Sequence, residues 1–401
     1  MHDVPAAGAP PVAVGGASRL QVAERAAQLP AGWDELAGSG DLHQSTRYLR
    51  MVEATSGVPM RYLMHYRGNE LDGALATALV LPGSPWLYCR TDTVLEFSAR
   101  ADLPSAAECL ALLTDGRAVP RTIAEATRAL TQQDASAPAT ELLMPGLVCG
   151  GRQFNRTRVL TREEGGDKPA VSAALVARAE SVAADLGARS IAFLYVGEHD
   201  TELQRLLAER GYVSCVSAYY GVLRLPGGGF DAYKAMLAKR QRQSIAAERR
   251  KLKAAGVEVC AEPLTDDLIG SYAGLEEQLF AKHGGRWTAQ QSATTLRAIM
   301  EEFGSDAVVF AARLDGALCG FTLALQHQDH WYVHRSGFEY ALIGDLPVYF
   351  ELGYNSVIEA AAASGVRLVH YGAGALRAKR LRGCTIEKFC TFARRIPGQR
   401  D

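Results

Sequence analysis

The chain has 401 residues, 48% of them hydrophobic and 22% charged, which is the make-up of a globular protein with a large core and a length that suits two domains. Its formal net charge is −1, so a global attraction to nucleic acid or to an anionic membrane is excluded, and any such affinity must come from a local patch. No run approaches the eighteen or so apolar residues of a membrane span, and the eight cysteines form no Cys-x-x-Cys pair and read as reduced core residues.

Residues 1–18 are rich in Ala, Pro and Gly and lack the basic region and apolar core of a signal peptide, which predicts a disordered leader on a soluble, cytoplasmic protein without membrane insertion. Runs over 60–66 and 71–80, parted by Gly68-Asn69, and a third over 86–90 predict a three-strand meander. An Ala-rich, mainly helical insertion follows near 91–138, with helices over 106–113 and 122–130. Then come a helix over 176–187, a strand over 190–195, a helix over 201–210 and a strand over 212–225.

Pro226-Gly-Gly-Gly229 reads as a linker opening onto one polar helix near 230–256. After it the pattern repeats. Strands over 307–314, 317–325 and 330–334, with Asp315-Gly316 as a hairpin turn, predict a second meander. A helix over 348–365, a strand over 367–371, a helix over 375–382 and a strand over 384–393 complete the second copy. The chain is therefore expected to be a duplicated mixed α/β unit, with domains at 19–225 and 226–401.

The corner at 371–383 is the first candidate site. Gly372-Ala-Gly374 leaves a strand and enters a helix, where backbone N–H groups can approach an anion, and Arg377, Lys379, Arg380 and Arg382 add charge. Such a corner suits a phosphate-bearing carrier such as coenzyme A or the acceptor end of a tRNA; it also reads as an ordinary strand–turn–helix corner with a solvated basic face. His370 and Tyr371 end the strand before it, where open sheets tend to hold ligands.

His334 and Arg335 end another strand, and a histidine there could take the proton of an attacking ammonium. Tyr349 and Glu351 open the helix after Pro347. That carboxylate either orders an amine or complements the helix dipole, and Asp345 reads as the N-cap. Trp287, with His283 and Arg286, sits in a glycine-flexed loop that could cover a substrate. Between Lys239 and Lys253 seven cations face one acid, Glu248; Lys239, Arg240, Arg242, Arg249, Arg250 and Lys253 are candidate contacts to nucleic-acid phosphates, or else a solvated helix face. His327, His330 and His334 lack zinc-site spacing and no metal is expected. No nucleophile or Walker motif is present, which leaves direct transfer.

Two stretches resemble a known family. Arg242-x-x-Ile245-x-x-Glu248-Arg249-Arg250 is similar to the helix that opens the second half of FemAB-like proteins, and Lys379-x-x-Arg382-Gly383 follows the Gly372 turn in the same family order. The repeated unit resembles the Gcn5-related N-acetyltransferase (GNAT) fold, and its doubling the Fem-type aminoacyl-tRNA transferases.

The resemblance implies two tandem GNAT-like domains, each a mixed, mostly antiparallel sheet flanked by helices. It also implies an acyltransferase that moves an aminoacyl group from aminoacyl-tRNA to an amine of a small molecule or of a cell-wall or natural-product precursor, with no bound cofactor. For that chemistry His334, Glu351 and His370, by their positions, are the catalytic candidates. Arg335, Tyr349, Tyr371, Gly372, Gly374, Lys379, Arg382 and Trp287 are substrate-binding candidates. One departure stands out: Arg335 and Gly337 do not fit the spacing of the pyrophosphate loop that acyl-CoA enzymes carry after the fourth strand. That favours tRNA over acetyl-CoA or another acyl-CoA as donor. An acyl-CoA-dependent N-acetyltransferase and a non-catalytic metabolite-binding protein are the alternatives.

Overall fold

A computed structural model describes residues 18–38, 40–117, 138–162, 167–283, 285 and 287–397. The leader up to residue 17, the helix expected over 122–130 and Arg286 lie outside the described residues.

Among the described residues, thirteen strands form one mixed sheet: β1 (Ser18–Ala23), β2 (Met60–Arg67), β3 (Glu70–Val80), β4 (Gly146–Gly150), β5 (Leu160–Thr161), β6 (Ser190–Gly197), β7 (Val213–Arg224), β8 (Val257–Pro263), β9 (Ala307–Leu314), β10 (Ala317–His327), β11 (His330–Phe338), β12 (Leu368–Ala373) and β13 (Thr385–Arg395). Their spatial order is β1-β2-β3-β4-β6-β13-β7-β12-β11-β10-β9-β8, with β5 on β3. Neighbours pair antiparallel except β4 with β6 and β11 with β12, which are parallel and occupy equivalent places in the two copies. The last strand of each copy pairs with a strand of the other: β13 lies against β6, and β7 against β12. The β7–β13 seam thus joins the halves into one sheet.

Local turn chemistry accounts for the hairpins. Asp315 and Gly316 both have positive φ, 51° and 80°, as the two central residues of a two-residue hairpin turn require. The strand expected over 86–90 does not form. Pro82 and Pro85 remove backbone donors, Leu87–Cys89 is a single 3-10 turn, and a helix Thr91–Arg100 follows; β4 takes the place beside β3. The polar helix expected over 230–256 is two helices, Gly229–Met236 and Lys239–Ala254. They are parted where Leu237 turns inward to pack beside Gly383.

The helix expected over 348–365 is likewise interrupted. Val348–Phe350 leads into a wide π turn, Glu351–Asn355, before Ser356–Ala363 resumes. Pro347, not Asp345, holds its N-cap position, and the Asp345 carbonyl accepts from Lys251 Nζ at 2.8 Å. All eight cysteines are free, and Cys260 is exposed on an edge strand rather than in the core.

One face of the sheet carries an apolar core that runs across both halves under the helices Thr46–Ser56, Asp266–Lys282 and Ala289–Phe303. On the other face, one core packs under Lys168–Asp185 in the first half and another under Gly229–Met236 and Ser356–Ala363 in the second. At Gly337 the backbone of helix Asp266–Lys282 lies directly on β11: a Cβ there would fall 2.5 Å from Glu276 N. Gly337→Ala should therefore push helix from strand at a cost of about 1–3 kcal/mol, read as a lower urea midpoint.

Candidate active site

β11 and β12 pair over only three residues, from His330 opposite Leu368 to Tyr332 opposite His370. Beyond that point β11 keeps β10 as its partner, while a bulge between His370 and Gly372 holds β12 to β7. The two parallel strands part there, and most of the sequence-predicted residues border the parting from opposite faces of the sheet.

On the face of the shared core, Tyr332 stacks on His370 with centroids 4.2 Å apart, and His370 Nε2 lies 3.2 Å from His330 Nδ1. The Tyr332 hydroxyl donates to Gly40 O at 2.9 Å and accepts from Leu42 N. His43 packs edge-on against both Tyr332 and Tyr48, and Tyr48 packs edge-on against His334. Burial pushes the imidazoles of His43 and His370 well below their ordinary range and that of His334 down to about 3. These rings are neutral at physiological pH, and His334 in this setting is a weak proton acceptor whose Nε2 has no partner among the described residues. The buried Asp41 carboxyl is pushed up to about 6 by the same cause, which brings it near working pH.

Arg335 pairs with the buried Glu276 at 3.0 Å, and Ser292 Oγ donates to the other Glu276 oxygen at 2.6 Å. The Arg335 guanidinium lies 5.4 Å from the ring of Trp287, which is buried and whose indole nitrogen has no partner among the described residues. From the first half, Asn155 Nδ2 donates to the Tyr48 hydroxyl at 2.8 Å.

On the opposite face, Gly372 and Gly374 have φ of 67° and 75°, a left-handed turn that favours glycine. Lys379, 3% exposed, folds back over this turn and donates to Gly372 O at 2.6 Å and Ala373 O at 2.8 Å. Its stem lies against Gly221, where a Cβ would come within 2.6 Å of Lys379 Cδ. Burial lowers its ammonium to about 8. Arg382 is buried against Glu248 at 2.6 Å and lies over the Phe350 ring. Tyr371 stacks on Tyr354, whose hydroxyl is 3.4 Å from that of the partly exposed Tyr349. Glu351 accepts from Arg249, Asn355 Nδ2 and Ser356 Oγ. The π turn is what brings it there, and it holds Arg249 rather than complementing a helix terminus.

Of the six cations proposed for phosphates, Lys239, Arg240, Arg242, Arg250 and Lys253 are exposed on helix Lys239–Ala254. Arg249 turns inward to Glu351 and Glu359. Lys239, Arg242, Arg250 and Lys253 share one outward face by helical period. Trp287 and Arg335 gather with His334 on one face, Lys379, Arg382, Tyr371 and Tyr349 on the other. Sequence reasoning missed Glu276, Tyr48, Tyr332, Asn155 and Asp41. Each is brought in from a distant element, and none carries a local motif.

Residues 154–393, more than half of the chain, match the FemAB-like family, described as peptidoglycan biosynthesis/recognition. The crystal structure of FemX is 12% identical with a TM-score of 0.56, covering 88% of this chain and 92% of FemX. A tandem GNAT protein from the clavulanic acid biosynthesis pathway, solved without AcCoA, is 13% identical with a TM-score of 0.52, covering 96% of this chain and all of its own (100%). At such identity the likeness establishes the fold, and the mixed, tandem GNAT-like arrangement that the resemblance implied is the one found. No curated protein sequence matches the chain. Among the described residues no helix is long and apolar enough to cross a membrane.

Proposed function

This chain belongs to the FemAB-like family, and on that premise we propose that it is an acyltransferase joining an activated aminoacyl group, carried by tRNA, to the amine of a small molecule or of a cell-wall or natural-product precursor. The observation that carries the reading is the Lys379 ammonium, buried over the Gly372 turn of β12 and against Gly221 of β7, and anchored by two carbonyls with one N–H to spare. A fixed cation in a dry site is suited to stabilise the oxyanion that develops as an amine attacks an ester carbonyl. The new N–C bond forms, the ester C–O bond breaks, and the amine proton ends on the released ribose hydroxyl. The protein's main work is alignment, with His334 and Tyr48 lining the approach from the opposite face.

Two features favour tRNA as donor. The outward cations of helix Lys239–Ala254 offer a phosphate-binding surface on the helix that Arg382 and Arg249 tie to the Lys379 corner. After β11, where an acyl-CoA enzyme would offer free amides to pyrophosphate, the Glu339 carboxylate already accepts from Ala341 N and would repel an anion. An acyl-CoA donor is the second reading, and the acetyl-CoA arm of the assay below separates it from the first.

Transfer assays with a panel of charged tRNAs, and in parallel with acetyl-CoA, test the donor. Amide formation from charged tRNA alone is expected; turnover with acetyl-CoA alone overturns the tRNA reading. The triple variant Lys239→Glu, Arg250→Glu, Lys253→Glu should raise KM for charged tRNA about tenfold or more at low salt. It should flatten the dependence of log affinity on log salt by roughly 0.9 per lost contact, with little change in thermal stability.

A further inference from the structure

We propose that Met236 and Leu381, with Arg240, Arg377 and Arg380 around them, form a surface that docks on an anionic phospholipid bilayer, independently of the acyl-transfer reading. The surface is assembled where helix Gly229–Met236 and the start of helix Lys239–Ala254 meet helix Leu376–Leu381 and the turn after it. Three contacts fix the junction. The Tyr233 hydroxyl donates to Arg382 O at 3.1 Å, Leu237 packs beside Gly383, and Gln241 Nε2 donates to Arg380 O at 3.5 Å. Tyr233 and Leu237 turn inward to make these contacts, and Met236 is left outside, 55% exposed. On the short helix Lys379 is drawn inward, so Arg377, Arg380 and Leu381 face out, with Leu381 41% exposed.

The charge of this surface has one sign. Residues 232–247 and 368–386 contain no Asp or Glu, in a chain that has 44 of them, so the positive charge here is a local excess on a protein of net charge −1. Arg240, Arg377 and Arg380 are exposed and make no ion pair among the described residues. Lys379 and Arg382 beneath them are engaged by backbone carbonyls and by Glu248. Asp231, at the far end of its helix, is paired with Lys234 at 2.6 Å. Ala235, Ala238 and Ala375 are also exposed, so the area between the long side chains is apolar. A single large apolar side chain in water is ordinary; two on adjoining elements, ringed by unpaired cations, have the composition of an interfacial surface.

A bilayer with anionic headgroups meets both features at once. The guanidinium groups pair with lipid phosphates, while their aliphatic stems, Met236 and Leu381 enter the boundary between headgroups and acyl chains. Nucleic-acid phosphates would satisfy the arginines and leave the apolar pair in water. Stacking on bases takes aromatic side chains, and Tyr233 and Tyr371, the tyrosines of these two stretches, are buried. Lys239 borders the phosphate-binding face proposed above, which continues along its helix through Arg250 and Lys253, away from this junction.

The test sediments the full chain with vesicles of phosphatidylcholine alone and of phosphatidylcholine mixed with phosphatidylglycerol, at low and at physiological salt. Reversible binding to the mixed vesicles, weakened by salt, is expected, with little binding to the neutral ones. Arg377→Gln with Arg380→Gln should weaken it about tenfold or more. Met236→Ser with Leu381→Ser leaves the charge unchanged and should weaken it several-fold, without loss of affinity for tRNA. The emission of Leu381→Trp should shift to the blue on mixed vesicles. All four sites are exposed, so melting temperatures close to that of the parent are expected and separate lost binding from lost fold. No binding to mixed vesicles would overturn the proposal. So would undiminished vesicle binding by the serine pair, which leaves only diffuse electrostatic attraction, or a loss of tRNA affinity in that pair, which assigns the surface to nucleic acid. None of these readouts uses transfer activity, so a failure of the acyl-transfer reading leaves the test intact.

Discussion

Lys379→Met is expected to lower kcat by about 10²–10³ while leaving KM for the amine nearly unchanged, the pattern of a group whose contact strengthens in the transition state. The side chain is enclosed, it is pinned by the carbonyls of Gly372 and Ala373, and its stem fills the space left by Gly221. Methionine matches the length of the stem and removes only the charge and its donors. Burial lowers the ammonium from 10.5 to about 8. If the charged form is what acts, kcat should fall as pH rises through about 8, and the residual activity of the variant should lack that alkaline limb.

A second consequence concerns stability and follows from the sign of the same shift. Between about pH 8 and 10.5 the unfolded chain holds this proton and the folded chain has lost it, so stability rises with pH across that window. Below about 8 both states are protonated, and the folded state carries the full burden of a buried cation, about 3 kcal/mol by the linkage relation. Lys379→Met should therefore be more stable than the parent below pH 8, with the difference shrinking towards pH 10.5. Urea unfolding at several pH values measures it. A variant that is less stable at neutral pH and retains full activity would leave Lys379 with a structural role only.

What could be read in the sequence divides along a physical line. Asp315-Gly316, the Gly372–Gly374 turn and the strand runs around them are local, and the backbone demands they impose are visible within a few residues. The two parallel pairs, β4 with β6 and β11 with β12, were not legible in this way, and β4 lies where no strand was expected. The exchange of β7 and β13 between halves was not legible, because register between strands so far apart in sequence depends on topology. The same holds for the site. The basic run 239–253 reads as one charged face, yet Arg249 belongs to Glu351 some hundred residues on, and only the π turn places that carboxylate within reach. Trp86 looked like strand because aromatic and β-prone residues surround it, and flanking prolines decided otherwise.

Arg382→Ala should destabilise the fold by about 3–5 kcal/mol, the cost of stranding one partner of a buried ion pair. Arg382 is 2% exposed, donates to Glu248 at 2.6 Å and covers the Phe350 ring at 4.8 Å. Its removal leaves Glu248, among the described residues, with only Ser244 Oγ and Asn355 Nδ2 as donors, the latter at 3.4 Å. Replacing both partners, Glu248→Gln with Arg382→Met, should recover much of the loss, because the penalty lies in the unpaired charge more than in the lost attraction. A urea series on the four proteins of the cycle measures the coupling. If Arg382 acted mainly on a ligand, the single variant would keep its stability and raise KM instead. The ion pair also sets how the two parts of the proposed site cooperate. Glu248 and Arg249 lie on the basic helix, Arg382 next to the Lys379 corner, and Glu351 in the π turn. Breaking one link should loosen the helix from the corner, so kcat with charged tRNA should fall even in a double variant whose stability has been restored.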